Sequence, residues 1–159
     1  MVGSIAVVTF AFGAIVGSFL NVCIHRLPRG MSVVRPASHC PACQRPLRAT
    51  ENIPFFSFLV LRGRCRHCNV KISWRYPFVE GLNGLAYVLV VKQFGFEPAT
   101  FVYALLLSAL IVVTFIDLDH QIIPNEITYP GMLLGLLAAV TVLPISWWDS
   151  LGGLLCGGG

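Results

Sequence analysis

The sequence predicts an all-α integral membrane protein, a polytopic helical bundle interrupted by one long polar loop. Of its 159 residues, 56% are hydrophobic and only 11% are charged, and the mean hydropathy is +0.77. Soluble domains usually have about a quarter of their residues charged. This composition therefore excludes a disordered chain and argues against a soluble globule.

Four uncharged or nearly uncharged runs predict the membrane helices. The first covers residues 5–24, with no charged residue before Arg26, and about 20 residues suffice to cross a bilayer core. Residues 99–116 and 127–143 form two more runs, and residues 76–91 a fourth that Glu80 interrupts. We expect Glu80 to lie near the interface, in contact with lipid headgroups or a helix partner. The residues after Asp149 supply only part of a fifth helix.

The positive charge predicts the orientation of these helices. Ten of the eleven Lys and Arg residues lie between Arg26 and Arg75, where Glu51 is the single acid. Because basic residues collect in cytoplasmic loops, the loop and the 117–126 connection should be cytoplasmic. The predicted organisation is a first transmembrane helix (1–25), a cytosolic loop (26–75), and a transmembrane region of three spans plus an incomplete fifth helix (76–159).

Two pairs of glycines predict close helix packing. Gly13 and Gly17 share the first run, and Gly131 and Gly135 share the last. Glycines four apart let two helix backbones approach closely in lipid. The alternative is that these glycines have no packing role, since glycine is common in membrane helices.

Two Cys-x2-Cys pairs in the basic loop predict a metal site. Cys40 and Cys43 are separated by 21 residues from Cys65 and Cys68, close to the spacing of four-cysteine zinc sites. A closed four-thiolate site leaves no position for substrate, so we expect a structural zinc that stabilises a small zinc-binding loop domain with little core of its own. Disulfides or idle thiols are the alternative, but disulfides rarely persist in the cytosol.

Other residues of this loop allow more than one interpretation. His39 and His67 are adjacent to the cysteines and could replace one of them as ligands. Phe55, Phe56 and Phe58 would form a small core or a membrane-facing patch. The basic charge would suit nucleic acid, but the topology and anionic lipid account for it, so no nucleic-acid partner is expected.

Three polar residues at the end of the third apolar run form a candidate catalytic site. Asp117, Asp119 and His120 lie at a membrane boundary, where ionisable groups are costly and often functional. In an aspartyl protease pair, two carboxyl groups share one proton and the ionised one activates water. Asp117 and Asp119 would converge only if the helix had already ended, because residues two apart on a helix point to different sides. A divalent-metal site or a simple polar helix end are the alternatives.

Several short motifs, in this order, resemble the type IV prepilin leader peptidases of bacteria. The resemblance extends over nearly the whole chain, from Gly13 to about Gly158. The motifs are Gly17-Ser-Phe-Leu-Asn-Val22, Cys40-Pro-Ala-Cys43, Asn52-Ile-Pro54, Leu61-Arg-Gly63, Cys65-Arg-His-Cys68, Arg75-Tyr-Pro77, Val79-Glu80, Ile116-Asp-Leu-Asp-His120 and Ile123-Pro124.

The resemblance implies an aspartic endopeptidase of the bacterial inner membrane that removes the basic leader of prepilins or pseudopilins on the cytosolic side. These systems serve type IV pilus assembly, type II secretion and competence. Asp117 matches the first catalytic aspartate, and the four loop cysteines match the zinc ligands. Many members also methylate the new N-terminus with S-adenosylmethionine, which is implied by resemblance alone. Membrane lipid is the other expected partner, and the pattern indicates no particular oligomeric state.

One element of the family pattern does not occur in these 159 residues. The second catalytic aspartate belongs to a Gly-x-Gly-Asp motif in a later helix, and the sequence contains no such motif. We therefore expect a chain that ends within its fifth helix and cleaves little or nothing by itself. The non-enzymatic alternative is a membrane-anchored zinc module that docks a partner protein or lipid.

Overall fold

The computed structural model describes residues 2–40, 42–47, 53–143 and 145–158. Within these ranges the chain forms six α-helices and one 3-10 turn, and its only β-pairing is two isolated bridges. The prediction of an all-helical fold is confirmed, while Asn52 of the Asn-Ile-Pro motif lies outside the described residues. The helices are α1 (Val2–Arg26), α2 (Phe56–Val60), α3 (Arg75–Phe94), α4 (Pro98–His120), α5 (Asn125–Thr141) and α6 (Trp147–Gly158).

The long helices contain the predicted apolar runs 5–24, 76–91 and 99–116, whereas α5 ends at Thr141, two residues before the end of the predicted run 127–143. Among the described residues, two segments are long and apolar enough to cross a membrane, Gly3–Arg29 and Pro98–His120. Helix α5 has 17 residues, fewer than the usual span of about 20, and α3 carries both Glu80 and Lys92. The fold is that of an all-α membrane protein, and a crossing by α3 or α5 stays a prediction.

The ends of the helices differ from the predicted connections. Helix α1 continues to Arg26, and a 3-10 turn, Leu27–Arg29, follows it. Helix α4 includes the whole Asp-x-Asp-His segment and ends at His120. The next residue, Gln121, adopts a left-handed φ of +54° and donates its N–H to the Asp117 carbonyl, which is a usual way for a helix to end. Asp117 therefore lies on a helix and not in a connection.

Helices α1 and α3 approach each other closely along the first glycine pair. A Cβ added at Gly17 would lie 2.8 Å from the Glu80 Cα, and one at Gly13 would lie 2.8 Å from the Gly84 Cα. This confirms the predicted packing role of the Gly13 and Gly17 pair.

The second glycine pair has no such neighbour among the described residues. Outside the adjacent residues and the backbone of α5 itself, no described atom lies within 4 Å of a Cβ added at Gly131 or Gly135, so a packing role for that pair stays a prediction. Both glycines lie on the exposed side of α5, and α5 instead buries Ala138 and Ala139.

The apolar core joins α1, α3 and α4 near the end of the bundle that carries the loop. Its buried members are Leu20, Ile24, Val79, Val112 and Ile116. Val79 and Ile116 are fully buried, and each lies close to a candidate functional residue, Glu80 or Asp117. The core therefore holds the loop end of α1, the start of α3 and the last turns of α4 in one rigid group.

A buried polar network links the same three helices deeper in the bundle. The Asn83 side chain donates to the Gly13 carbonyl at 2.7 Å and accepts from the Ser108 hydroxyl at 2.9 Å. The Tyr87 hydroxyl lies 3.1 Å from Ser108 Oγ. Asn83 is fully buried, so these bonds satisfy groups that would be costly to leave unpaired in an apolar environment.

Candidate functional site

The two Cys-x2-Cys segments fold into two equivalent turns. In the first turn the Cys40 N–H donates to the Arg45 carbonyl at 3.0 Å, and the Gln44 N–H donates to the Cys40 carbonyl at 2.8 Å. Gln44 has a positive φ of 56°, and its counterpart Asn69 has 55°. The second turn has the same hydrogen bonds: the Cys65 N–H donates to the Val70 carbonyl at 2.9 Å, and the Asn69 N–H donates to the Cys65 carbonyl at 3.0 Å.

These turns bring the four cysteine sulfurs together. The Sγ atoms of Cys40, Cys43, Cys65 and Cys68 all lie within 4.8 Å of one another, and those of Cys40 and Cys68 are 3.8 Å apart. Sulfurs arranged as a tetrahedron about a zinc ion are separated by about 3.8 Å, given a Zn–S distance of about 2.3 Å. The cysteines are free thiols, and together they form a cluster that could hold a metal ion.

The electrostatics of the cluster separate the thiols into easily and poorly ionised members. Backbone N–H groups of Cys68 and His67 lower the pKa of Cys65 to about 6. A hydrogen bond from the Val70 backbone favours the Cys68 thiolate, but desolvation and hydrogen bonds to the other three sulfurs raise its pKa to about 11. Four thiolates would repel one another at this distance, so the cluster in its fully ionised form requires a cation.

The two histidines beside the cluster have other partners. His39 Nδ1 lies 3.1 Å from the Ala37 carbonyl oxygen. Arg45 Nη1 donates to His67 Nδ1 at 3.2 Å, which joins the first turn to the second. Among the described residues neither histidine belongs to the four-ligand group. The sequence offered both as substitute ligands and did not reveal that His67 connects the turns.

The phenylalanines of the loop divide between the two roles that the sequence allows. Phe58 is buried, and its ring centroid lies 4.6 Å from that of Trp74. The Phe55 ring lies 5.9 Å from that of Phe10 on α1, whereas Phe56 is exposed. Phe58 and Trp74 therefore form a small core, Phe55 packs the loop against α1, and Phe56 remains exposed.

Asp117 and Asp119 lie in the last turn of α4 and have different surroundings. Asp117 is exposed, and among the described residues no donor contacts its carboxylate. The carboxylate of Asp119 accepts a hydrogen bond from Arg75 at the start of α3. Because the helix continues through both residues, the two side chains diverge. They do not form a proton-sharing pair with each other.

Arg75 is a site residue that sequence reasoning recognised only as part of a motif. Besides its ion pair with Asp119, its Nη2 donates to the Phe115 carbonyl at 3.1 Å, and its guanidinium carbon lies 4.8 Å from the centre of the Phe115 ring. The predicted membrane topology could have indicated this contact. A cation at the start of one apolar helix and an acid at the end of the next fall on the same membrane face.

Glu80 is buried against the loop and does not lie free at the interface. It is 8% exposed, and its carboxylate accepts the Phe55 N–H at 3.1 Å and a hydrogen bond from the Ser18 side chain. Of the two contacts that the sequence allowed, headgroups or a helix partner, the structure shows the helix partner, because Gly17 and Ser18 of α1 lie against Glu80. Glu80 also faces a cavity of about 420 Å³ between the loop and helices α1 and α3.

Two family models match the chain. The model described as the bacterial peptidase A24 N-terminal domain matches residues 11–94, and the type IV leader peptidase family matches residues 104–159. No solved structure matches this chain.

Curated proteins with similar sequences have consistent names. The prepilin leader peptidase/N-methyltransferase of Myxococcus xanthus (strain DK1622) is 46% identical over 96% of this chain and 45% of its own length. The protein of that name from Neisseria gonorrhoeae is 40% identical over 79% of this chain and 52% of its own. The type 4 prepilin-like proteins leader peptide-processing enzyme of Escherichia coli O78:H11 is 40% identical over 91% of this chain and 61% of its own.

The chain thus spans about half the length of the curated relatives it matches. Because the bacterial peptidase A24 N-terminal domain model covers more than half of the chain and the type IV leader peptidase model matches residues 104–159, the protein belongs to the type IV leader peptidase family, with a bacterial peptidase A24 N-terminal domain.

Proposed function

We propose that this chain supplies one half of an aspartic leader peptidase, with Asp117 as a catalytic acid. The single observation that carries the proposal is the exposed Asp117 carboxylate at the end of the long apolar helix α4. Arg75 holds the adjacent acid, Asp119, on the other side of that turn. One carboxylate thus remains accessible where an apolar helix meets the aqueous face.

The proposed reaction is cleavage of the basic leader of a type IV prepilin or pseudopilin. The Asp117 carboxylate would share one proton with a second acid, so that the ionised partner takes a proton from water while the protonated partner polarises the scissile carbonyl. Asp119 is a poor candidate for the second acid because of its ion pair with Arg75. The sequence contains no Gly-x-Gly-Asp motif, so we expect little cleavage by these 159 residues alone.

We place the site at the cytosolic face of the inner membrane. Asp117 and the basic loop lie at the same end of the bundle, since Arg75 joins the base of the loop to the last turn of α4. The excess of Lys and Arg in that loop favours the cytoplasmic side. In this multi-pass arrangement residues 1–25 form the first transmembrane helix, 26–75 the cytosolic loop domain and 76–159 the peptidase region. The apolar part of a prepilin would lie in lipid with its basic leader in the cytosol.

The metal ion of the cysteine cluster is proposed to be zinc with a structural role. Four sulfurs at these separations suit a tetrahedral ion that prefers thiolate ligands. Cys40, Cys43, Cys65 and Cys68 would hold the ion and connect the two turns to each other. Such a closed set leaves no position for water or substrate.

The names of the Myxococcus and Neisseria relatives also include an N-methyltransferase. We extend this activity to the chain as a proposal, in which S-adenosylmethionine donates a methyl group to the N-terminus that cleavage exposes. The support is the resemblance to these relatives.

A chimera tests the role of Asp117. This chain would replace the matching part of the Myxococcus xanthus relative, and the membranes would be incubated with a prepilin substrate. We expect cleavage by the chimera and a loss of at least about 100-fold in Asp117→Asn, as for removal of a general acid or base. Exposed Asp149 on α6 gives the matched control Asp149→Asn, which should cleave normally. An active Asp117→Asn chimera would contradict the assignment.

A further inference from the structure

Arg75 joins the start of α3 to the last turns of α4 through three separate contacts. Its Nη1 donates to the Asp119 carboxylate, and its Nη2 donates to the Phe115 carbonyl at 3.1 Å. Its guanidinium carbon also lies 4.8 Å from the centre of the Phe115 ring. Because a guanidinium is planar and has donors in fixed directions, these contacts define both the distance and the rotation of the end of α4 relative to α3.

The contacts of Arg75 lie on one face of α4, and the candidate catalytic acid lies on another. Phe115 and Asp119 are four residues apart, so they occupy the same side of the helix. Asp117 is two residues from each of them, which corresponds to about 200° around the helix axis, and its side chain is exposed. Arg75 therefore holds the turn that carries Asp117 and leaves the Asp117 carboxylate accessible to a substrate.

The surroundings of Arg75 are themselves held in place. The Phe78 ring of α3 meets the Phe115 ring edge-on, with their centroids 6.3 Å apart, and Ile116 is fully buried in the apolar core. The Asn21 side chain of α1 donates to the Tyr76 carbonyl at 3.2 Å. The guanidinium therefore extends from a helix start that is fixed to the rest of the bundle.

The hydrogen bonding of Arg75 shows that stability alone does not explain its place. Its Nε is buried, and among the described residues this atom has no hydrogen-bond partner. A buried N–H without a partner is destabilising, and an exposed ion pair offsets little of that loss. An unsatisfied buried group in a folded protein calls for another reason. Here the reason is the geometry that the arginine imposes on the end of α4.

We propose that Arg75 is a positioning residue for Asp117 in leader cleavage. The inference rests on the proposed catalytic function of Asp117 and extends it. Helix ends fray easily, yet a displacement of about 1 Å at a catalytic group can cost about 100-fold in rate. By binding the Phe115 carbonyl and the Asp119 carboxylate, Arg75 keeps the last turns of α4 wound and the Asp117 carboxylate at one place. Arg75 itself does not contact the substrate.

The chimera with the Myxococcus xanthus relative tests this role by kinetics. In Arg75→Gln we expect kcat per folded protein to fall at least about tenfold while KM for prepilin changes less than about threefold, because a displaced acid weakens transition-state stabilisation and not substrate binding. Arg75→Lys keeps the charge but not the two-pronged contact, so its kcat should be intermediate. Lys92→Gln removes a cation from the exposed far end of α3 and is the matched control, which should cleave normally.

Hydrogen exchange of the whole chain in detergent measures the position of the helix end without cleavage. Arg75→Gln should raise the exchange rates of the backbone amides from Leu118 to Gln121 at least about tenfold. Amides near buried Ser108, in the middle of α4, should exchange as in the unmodified chain. A merely structural role would instead raise exchange throughout the bundle and lower its thermal stability.

The proposal is overturned by an unchanged kcat in the Arg75→Gln chimera, or by unchanged exchange at the end of α4. It is also overturned by a loss confined to KM, which would mean that Arg75 contacts the substrate. The proposed function fails by a different result, normal cleavage in the Asp117→Asn chimera. If Asp117→Asn is inactive and Arg75→Gln is fully active, the assignment of Asp117 stands and the positioning role is lost.

Discussion

The guanidinium of Arg75 binds the carboxylate of Asp119 and so connects the first residue of α3 to the last turn of α4. The two side chains are 32% and 40% exposed, and exposed pairs of this kind contribute only about 0–1 kcal/mol. The contact therefore serves mainly to position the last turn of α4. It pairs one acid of the Asp-x-Asp segment, Asp119, with Arg75 and leaves Asp117 accessible.

This geometry predicts different consequences for the two aspartates. In the chimera, Asp119→Asn should keep prepilin cleavage within about tenfold of the unmodified protein, because Asp119 positions the helix end and does not contact the substrate. The expected loss in Asp117→Asn is at least about 100-fold. Rates measured with one prepilin substrate compare the two variants directly. Equal loss in both would mean that Asp119 takes part in the chemistry.

A second prediction concerns the buried amide of Asn83. Asn83→Leu removes the hydrogen bonds to the Gly13 carbonyl and the Ser108 hydroxyl, and unsatisfied buried polar groups cost about 1–3 kcal/mol each. We expect the free energy of unfolding in detergent to fall by that order. Gln93→Ala, at an exposed position of the same helix, should change it by less than about 0.5 kcal/mol. If both variants unfold alike, the network contributes nothing to stability.

The sequence was sufficient to predict the helices and the cysteine cluster because both depend on local pattern. Uncharged runs about 20 residues long cannot be stable in a bilayer except as helices, so their existence follows from composition. The Cys-x2-Cys spacing likewise specifies two turns, and the structure brings all four sulfurs within 4.8 Å.

The contacts of Glu80 could not be predicted because they depend on how the loop folds back. Glu80 interrupts an apolar run, which suggested an interfacial position, but the loop places the Phe55 N–H against its carboxylate. The end of α4 was also uncertain by a few residues. That small difference decides whether Asp117 and Asp119 converge.

A third prediction follows from the close approach of α1 and α3. A methyl group at Gly17 would lie 2.8 Å from the Glu80 Cα, a backbone atom that cannot move without displacing the helix. Gly17→Ala should therefore destabilise the bundle by about 1–3 kcal/mol. The added Cβ of Gly131→Ala meets no described atom within 4 Å outside the adjacent residues and its own helix backbone, so this variant should stabilise α5 slightly, as Ala favours helix over Gly. Thermal unfolding of the two variants in detergent provides the comparison, and a stable Gly17→Ala protein would contradict the observed packing.

A fourth prediction concerns the metal ion. The purified chain should contain about one zinc ion, and Cys40→Ser together with Cys65→Ser should lose it, since two of four thiolates are removed. Cys156→Ser, an exposed cysteine of α6 that does not belong to the cluster, is the matched control and should retain the metal. Elemental analysis measures all three proteins. Full zinc content in the double variant would show that other residues hold the ion.

The fifth prediction is that metal affinity rises with pH. In the metal-free cluster the pKa of Cys65 is about 6 and that of Cys68 about 11, so at neutral pH binding of the ion must displace protons. Raising the pH lowers this proton competition, whereas below about pH 6 even Cys65 becomes protonated. Competition with a chelator should therefore give tighter binding at pH 8 than at pH 6.5 and release of the ion near pH 5. The measured metal affinity is first corrected for protonation of the chelator. If the corrected affinity stays constant over this pH range, thiolate ligands are excluded, because thiols that titrate in this range would make the affinity depend on pH.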